Sequence, residues 1–359
     1  MEKRRTVILA EGSFADFGES KTAYGILRFI PETVVAVIDS EHAGKDSSEV
    51  SGLGHGIPIV ADLASALQHK PQRLVVGIAT AGGWFPSELR KIIVEALENG
   101  LEVVSGLHIM FSEDDEFRAA AARGGGRIVD LRKEPENLPV GTLQAQKTDA
   151  FVVLTVGTDC NTGKMTTSIA VVREAEKRGI KARFAPTGQT GIAIAGSGIC
   201  IDHVLSDFTA GAAEKLVLEQ ASASGVQLIV VEGQGALAQP VYSGVTLSLM
   251  HGSLPDAMIL CHRAGQDLVE IVDTPMPPLT DHIRLYEEAM RLVKPAEIKA
   301  VALSTRSLDE AEAEKAIQQA KKETGLPVTD PIRFGAGVIL DALCADGLKK
   351  VPLYKGFQS

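Results

Sequence analysis

The chain has 359 residues, 45% of them hydrophobic and 23% charged, with a formal net charge of −10. This length predicts two domains, and the composition excludes collagen-like, disordered and disulfide-stapled proteins. The acidic balance disfavours a nucleic-acid-binding surface, and the four cysteines are too scattered for a zinc knot. The apolar run after Arg5 meets Glu11 too soon for a signal peptide, and no run approaches the length of a membrane span. We expect a cytoplasmic protein.

The first half of the chain alternates short β-branched runs with segments of helical spacing. This alternation predicts right-handed βαβ units and a parallel sheet, and we place a Rossmann-like domain at residues 1–135. The predicted strands are 6–10, 33–38, 73–79, 101–105 and 127–131, and the predicted helices are 22–29, 62–68, 86–99 and 112–123.

A polar segment with Pro139 and Gly141 predicts a linker at residues 136–149, and the βα rhythm then restarts over 150–359. The continuous apolar run at 150–156 is typical of a strand covered on both faces. Further predicted strands are 181–185, 226–231, 257–261, 298–303 and a short one within 325–331, and the first helix is 166–178. The sequence therefore predicts two doubly wound α/β domains with parallel sheets, the second of them like a P-loop NTPase.

The first strand of the second domain runs into a phosphate-binding loop. Glycines let backbone N–H groups turn inward, the helix start adds its dipole, and Lys164 can reach terminal phosphates. The predicted cofactor-binding residues are Gly157, Thr158, Asp159, Cys160, Asn161, Thr162, Gly163, Lys164, Met165, Thr166 and Thr167.

Met165 stands where magnesium-binding loops carry serine or threonine after the lysine. If ATP binds here, Thr166 or Thr167 would have to supply the hydroxyl for Mg²⁺, with Thr166 the candidate metal ligand, or magnesium is held differently. Glu232 ends a buried strand, where phosphate-binding proteins orient Mg²⁺ or its waters, and it is the second candidate metal ligand and a candidate catalytic acid or base. The alternative is that Glu232 only caps a turn.

Other polar residues follow predicted strands at the same sheet edge. The turn after the second strand offers Thr187, Gln189 and Thr190 as substrate-binding candidates, and Arg263 is a candidate carboxylate or phosphate anchor. Candidate bases are His203, His251 and His262, because histidine titrates near neutrality. Structural roles for these residues remain the alternative.

A first resemblance is to dethiobiotin synthetase. It rests on the loop, the Val231-Glu232-Gly233 strand end and the turn from Pro186 to Gly191. The lysine expected before Pro186 in that enzyme is Ala185 here. A second resemblance covers nearly the whole chain. It is to a domain family with an N-terminal Rossmann-like and a C-terminal P-loop domain, some of whose members are D-glutamate N-acetyltransferases. The motifs that carry it are 21–25, 37–39, 105–108, 155–160, 187–192, 232–235, 249–253 and 260–262.

This resemblance implies an acetyl-CoA-dependent N-acyltransferase whose acceptor is an amino acid. Cys160 would then be an alternative acyl acceptor, since a helix N-terminus lowers thiol pKa. Two other functions stay open: an ATP- and Mg²⁺-dependent ligase or kinase of a small carboxylate, and a nucleotide-binding regulator without turnover. In each case the expected partner is a small molecule, and the sequence leaves a homo-oligomer open.

Overall fold

The computed structural model of the chain describes residues 4–79 and 85–357. Contacts divide the chain into two compact units, one of Met1–Glu134 with Gln189–Cys200 and one of Pro135–Gly188 with Ile201–Ser359. The domain and linker boundaries given above stay a prediction. By contacts, the segment after Gly188 groups with the first unit.

Among the described residues, the first unit contains a six-stranded sheet in the order β3-β2-β1-β4-β5-β6, with every neighbouring pair parallel. The strands are β1 Thr6–Leu9, β2 Val34–Ile38, β3 Ile59–Val60, β4 Arg73–Val76, β5 Glu102–Ser105 and β6 Arg127–Asp130. The helices of this unit are α1 Lys21–Phe29, α2 Ser47–Ser51, α3 Leu63–Leu67, α4 Ser87–Glu98, α5 Asp115–Gly124 and α7 Gln189–Ala195.

Alternate residues of β1 enter different cores. Val7 and Leu9 pack in a cluster with residues of α4 and α5, whereas Ile8 packs in a second cluster with residues of α1. Because successive strand side chains point to opposite faces, helices cover both faces of this sheet. This arrangement is the doubly wound fold predicted from the sequence.

The second unit repeats the architecture with the strand order β12-β11-β10-β7-β9-β8, again parallel throughout the described residues. Its strands are β7 Phe151–Gly157, β8 Ala182–Ala185, β9 Leu228–Val231, β10 Ala257–Arg263, β11 Glu297–Ser304 and β12 Val328–Thr329. Its helices are α6 Lys164–Lys177, α8 Ser206–Ala221, α9 Ser243–Ser253, α10 Leu279–Met290, α11 Glu310–Thr324 and α12 Gly337–Cys344.

The predicted strands and helices all occur, with ends shifted by a few residues. β10 and β11 extend past their predicted ends, and α6 begins at Lys164 rather than at Thr166. Across the described part of the chain, no helix has the length and apolar character needed to cross a membrane.

Candidate active site

The loop after β7 has the backbone form of an anion-binding loop. β7 is buried along its whole length, and α6 begins directly after Gly163. Gly163 has a φ of 93° and Asn161 a φ of 56°, a left-handed conformation that glycine and asparagine tolerate best. The first N–H groups of a helix have no partner within it, so the start of α6 offers donors to an anion.

Lys164 is buried within this loop. Its Nζ donates to the carbonyl oxygen of Asp159 at 2.8 Å, and the hydroxyl of Thr162 donates to the same oxygen at 3.3 Å. A Cβ at Gly157 would lie 2.8 Å from this Nζ and 2.8 Å from the carbonyl oxygen of Asp159, so the loop backbone packs on the strand end in a way that favours glycine. Burial lowers the pKa of the ammonium, and a bound phosphate would favour its charged form.

The Asp159 carboxylate connects the loop to the segment after β10. One oxygen accepts from the N–H of Cys160 at 2.7 Å. The other accepts from the Gln266 side chain at 2.7 Å and from the N–H of Glu270 at 2.6 Å. Asp159 therefore fixes the loop, and its carboxylate is already engaged by protein donors.

Glu270 makes three further contacts around the loop. Its side chain accepts from the Asn161 amide at 2.8 Å and pairs with Arg263 at 3.0 Å, and its carbonyl oxygen accepts from Gln239 at 2.8 Å. Sequence reasoning missed Gln266 and Glu270, because no motif marks them and their partners are about 110 residues away. Arg263 is near the loop as expected, but its charge is paired with Glu270.

Glu232 lies at the end of β9 and is buried. Its Oε2 accepts from the N–H groups of Thr187 and Gly188 at 3.0 and 3.2 Å, while the Thr187 hydroxyl donates to the Glu232 carbonyl oxygen at 2.7 Å. The Gln234 amide donates to that hydroxyl at 3.1 Å. Burial raises the pKa of Glu232 to about 7, although the two N–H donors and the charge of Lys164 act to lower it.

His262 lies on the other side of the loop strand, at the end of β10. Its Nδ1 is hydrogen-bonded to the hydroxyl of Thr158 at 2.9 Å, and burial lowers its pKa to about 4. Beside it, the Tyr286 hydroxyl donates to the carbonyl oxygen of Gly157 at 2.7 Å and accepts from the N–H of Leu237 at 3.0 Å. Because its pKa is about 4, the imidazole of His262 is neutral near pH 7.

Two of the candidate histidines are placed differently. His251 lies in the last turn of α9, which leads to the amino end of β10, and its Nε2 is 3.4 Å from the carbonyl oxygen of Ala289. Strand amino ends and carboxyl ends lie at opposite edges of a parallel sheet, so His251 is not brought to the loop. His203 is exposed, two residues after Ile201, whose N–H donates to the carbonyl oxygen of Thr187 at 2.9 Å.

The structure gives Gln189 and Thr190 contacts within the first unit. The hydroxyl of Thr190 is 2.9 Å from that of Thr22. A Cβ at Gly106 would lie 2.7 Å from Cγ of Gln189, so the glutamine packs closely on this glycine. The substrate-binding roles of both residues stay predictions.

The residues after the loop lysine depart from a usual magnesium–nucleotide site. Met165 offers a thioether, whereas Mg²⁺ prefers oxygen ligands. Thr166 is half-buried, and Thr167 is buried with its side chain hydrogen-bonded to Cys261. Among the described residues, no three His, Cys, Asp or Glu side chains form a group that could hold a metal ion. The usual arrangement does not fit, and Thr166 and Glu232 as ligands stay a prediction.

Comparison with known proteins identifies relatives over nearly the whole length. A curated D-glutamate N-acetyltransferase from Tritonibacter scottomollicae is 34% identical over 341 residues, covering 94% of this chain and 98% of the relative. A protein of the same name from Pseudoalteromonas sp. is also 34% identical, over 75% of this chain and 80% of its own. The crystal structure of a DUF1611 family protein from Anabaena variabilis is 39% identical, with a TM-score of 0.90, and the match covers 95% of this chain and 99% of that one.

Two family models match consecutive parts of the chain. Residues 40–134 match the Rossmann-like domain DUF1611_N, and residues 139–340 match the P-loop domain DUF1611_C. These matches confirm the whole-chain resemblance drawn from the motifs. The chain therefore belongs to the DUF1611 family, whose members combine a Rossmann-like and a P-loop domain.

Proposed function

We propose that this protein is an N-acetyltransferase that moves an acetyl group from acetyl-CoA to the amino group of an amino acid of the D-glutamate type. The observation that carries the proposal is the similarity, over 94% of the chain, to a relative named D-glutamate N-acetyltransferase. The phosphate-binding loop supports it, because CoA carries phosphates that such a loop can neutralise.

In this proposal the loop binds phosphates of the donor. The N–H groups at the start of α6 donate to phosphate oxygens. The Lys164 ammonium releases the carbonyl oxygen of Asp159 and donates to a phosphate oxygen instead. The arm of CoA is about as long as four extended residues, about 14 Å. A base beside the loop therefore acts on the thioester only when the arm folds back.

Glu232 is the proposed proton acceptor. The amine nitrogen attacks the thioester carbonyl carbon, a C–N bond forms, and the nitrogen loses a proton to the carboxylate. The C–S bond then breaks with the electron pair on sulfur, and protonated Glu232 returns the proton to the thiolate. The products are the N-acetyl amino acid and free CoA. The pKa near 7 supports this role, because such a group accepts and returns protons at neutral pH.

Free-thiol release from acetyl-CoA tests the proposal. We expect release that requires an amino acid, is fastest with D-glutamate in a panel of D- and L-amino acids, and proceeds in EDTA without ATP. Lys164→Met keeps the length and removes the charge, and we expect it to raise the KM for acetyl-CoA. Amino-acid-dependent phosphate release from ATP, without thiol release, would instead support a ligase or kinase.

A further inference from the structure

Gln234 follows Glu232 by two residues, and the mechanism above gives it no role. Its backbone is held in place, because the Thr246 hydroxyl donates to its carbonyl oxygen at 2.7 Å. Its side-chain amide packs over Gly188, where an added Cβ would lie 2.6 Å from Nε2. The residue is half-buried, so a ligand can reach an amide that the fold already fixes.

The hydrogen bonds of Thr187 determine which way this amide points. The Thr187 hydroxyl has a single hydrogen, which it donates to the carbonyl oxygen of Glu232 at 2.7 Å. The hydroxyl can therefore only accept from Gln234, whose Nε2 is 3.1 Å away. A primary amide carries two N–H groups. One of them is bound to Thr187, and the other has no acceptor among the described residues.

The carboxylate of Glu232 has one oxygen that is not engaged. Its Oε2 accepts from the N–H groups of Thr187 and Gly188, whereas Oε1 accepts no hydrogen bond from the part of the chain that the structure describes. The Cβ position at Gly188 that lies close to the Gln234 amide is 3.3 Å from this Oε1. A free acceptor and a free donor therefore border the same small space.

The turn that carries both groups lies against the phosphate-binding loop. A Cβ at Gly233 would lie 1.7 Å from the carbonyl oxygen of Thr155 in β7 and 3.1 Å from Cδ of Lys164. The N–H of Gly233 also donates to the Thr155 hydroxyl at 3.0 Å. The residues on either side of Gly233 are thus fixed next to the lysine that the proposed function assigns to the phosphates of the donor.

We propose that Gln234 is the oxyanion donor of acetyl transfer. The inference rests on the proposed function, in which an amine attacks the thioester carbonyl carbon and Glu232 accepts the proton. The attack moves negative charge onto the carbonyl oxygen, and the charge leaves this oxygen when the C–S bond breaks. The attacking nitrogen and the oxygen are bonded to the same carbon, so base and donor must be neighbours. The free N–H of Gln234 donates to the oxygen, while Oε1 of Glu232 receives the proton.

Gln234→Met tests the proposal, because methionine keeps an unbranched side chain and removes the N–H donors. Loss of one oxyanion donor lowers kcat about 10²- to 10³-fold, and we expect this loss in thiol release with D-glutamate and saturating acetyl-CoA. The KM for D-glutamate and the Kd for CoA, measured by calorimetry, should stay within about twofold of the wild type, because the contact forms only in the transition state. The matched control is Gln318→Met, at an exposed glutamine of α11.

The pH profile separates an oxyanion donor from a residue that only positions Glu232. Glu232 is intact in Gln234→Met, so kcat/KM should keep its midpoint near pH 7. A shifted midpoint would show that the amide acts through Glu232 and would overturn the inference. A kcat within about threefold of the wild type would overturn it as well.

Thermal unfolding shows whether the variants fold like the wild type. If Gln234→Met unfolds early, Gln234→Glu is the second variant, since it keeps the shape of the side chain and replaces the donor with a carboxylate. We expect its kcat at pH 8 to fall at least about 10²-fold, and a kcat near that of the wild type would overturn the inference. Failure of the wild type to release thiol from acetyl-CoA would instead contradict the proposed function itself.

Discussion

Glu232, which is buried, and His262, which is half-buried, lie on either side of the loop strand and have pKa values that suit different roles. Burial disfavours the charged form of each, so it raises the pKa of Glu232 to about 7 and lowers that of His262 to about 4. A general base works best with a pKa near the operating pH. Glu232 meets this condition, whereas His262 is a weak base whose hydrogen bond to Thr158 orients the loop.

If Glu232 is the base, its protonation should control the pH dependence of acetyl transfer. A base acts when deprotonated, so kcat/KM for acetyl transfer should rise with pH through a midpoint near 7. Glu232→Gln should lower kcat about 10²- to 10⁴-fold and remove this titration. The measurement is thiol release in EDTA from about pH 5.5 to about pH 9. The control is Glu297→Gln, at an exposed glutamate. A titration that survives in Glu232→Gln would assign the midpoint to another group.

Single residues also limit what the sequence could predict of the site. Lys164 and Glu232 were predictable, because a strand, a glycine-bounded loop and a helix in order define their surroundings. Gln266 and Glu270 were not, because both contact the loop from the long connection after β10. Their positions depend on tertiary packing that no local pattern encodes.

Helices α8 and α9 approach more closely than ordinary side chains allow. A Cβ at Gly252 of α9 would lie 2.1 Å from the carbonyl oxygen of Ala210 in α8, so this glycine is required by close packing. Gly244, at the start of the same helix, has no atom within 4 Å of its added Cβ. The two glycines therefore provide a matched pair of substitutions in one helix.

For this pair we expect opposite effects on stability. Gly252→Ala forces the helices apart and should reduce the free energy of unfolding by about 1–3 kcal/mol. Gly244→Ala relieves the entropic cost of a helical glycine and should increase it by up to about 1 kcal/mol. Urea denaturation followed by circular dichroism measures both. Equal effects of the two substitutions would contradict the close packing of α8 on α9.

The elements predicted from the sequence all occur, but the prediction named neither the helices α8 to α11 of the second unit nor short segments such as β3. β3 has two residues, too few for any period to be read. The capping box of Asp46 and Glu49 marks the start of α2 and could have located that helix. The grouping of α7 with the first unit had no local signal, since it follows from contacts such as Thr22 with Thr190.

At the scale of the second unit, Asp256 joins segments that are far apart in sequence. Its carboxylate accepts from the N–H groups of Val152 and Val351 at 2.8 and 2.9 Å. It also pairs with Lys294 at 2.6 Å and with Lys350 at 3.1 Å. Lys294 is fully buried, so its ammonium depends on this carboxylate for compensation.

Removal of the charge on Asp256 should destabilise the second unit strongly. Asp256→Asn keeps the shape but leaves Lys294 buried without its counter-charge, and we expect a loss of about 3–5 kcal/mol in the free energy of unfolding. Glu219→Gln breaks the half-exposed pair with Lys215 and should cost at most about 1 kcal/mol. Denaturant unfolding compares the two. A loss below about 1 kcal/mol for Asp256→Asn would show that the cluster contributes little.

We propose that the phosphate-binding loop serves acetyl transfer in this protein. The sharpest test is thiol release from acetyl-CoA with D-glutamate, with and without ATP and Mg²⁺, for the wild type and Lys164→Met. We expect amino-acid-dependent release without ATP in the wild type, and a raised KM for acetyl-CoA with a nearly unchanged KM for the amino acid in the variant. Release that is absent, or that is unaffected by Lys164→Met, would contradict it.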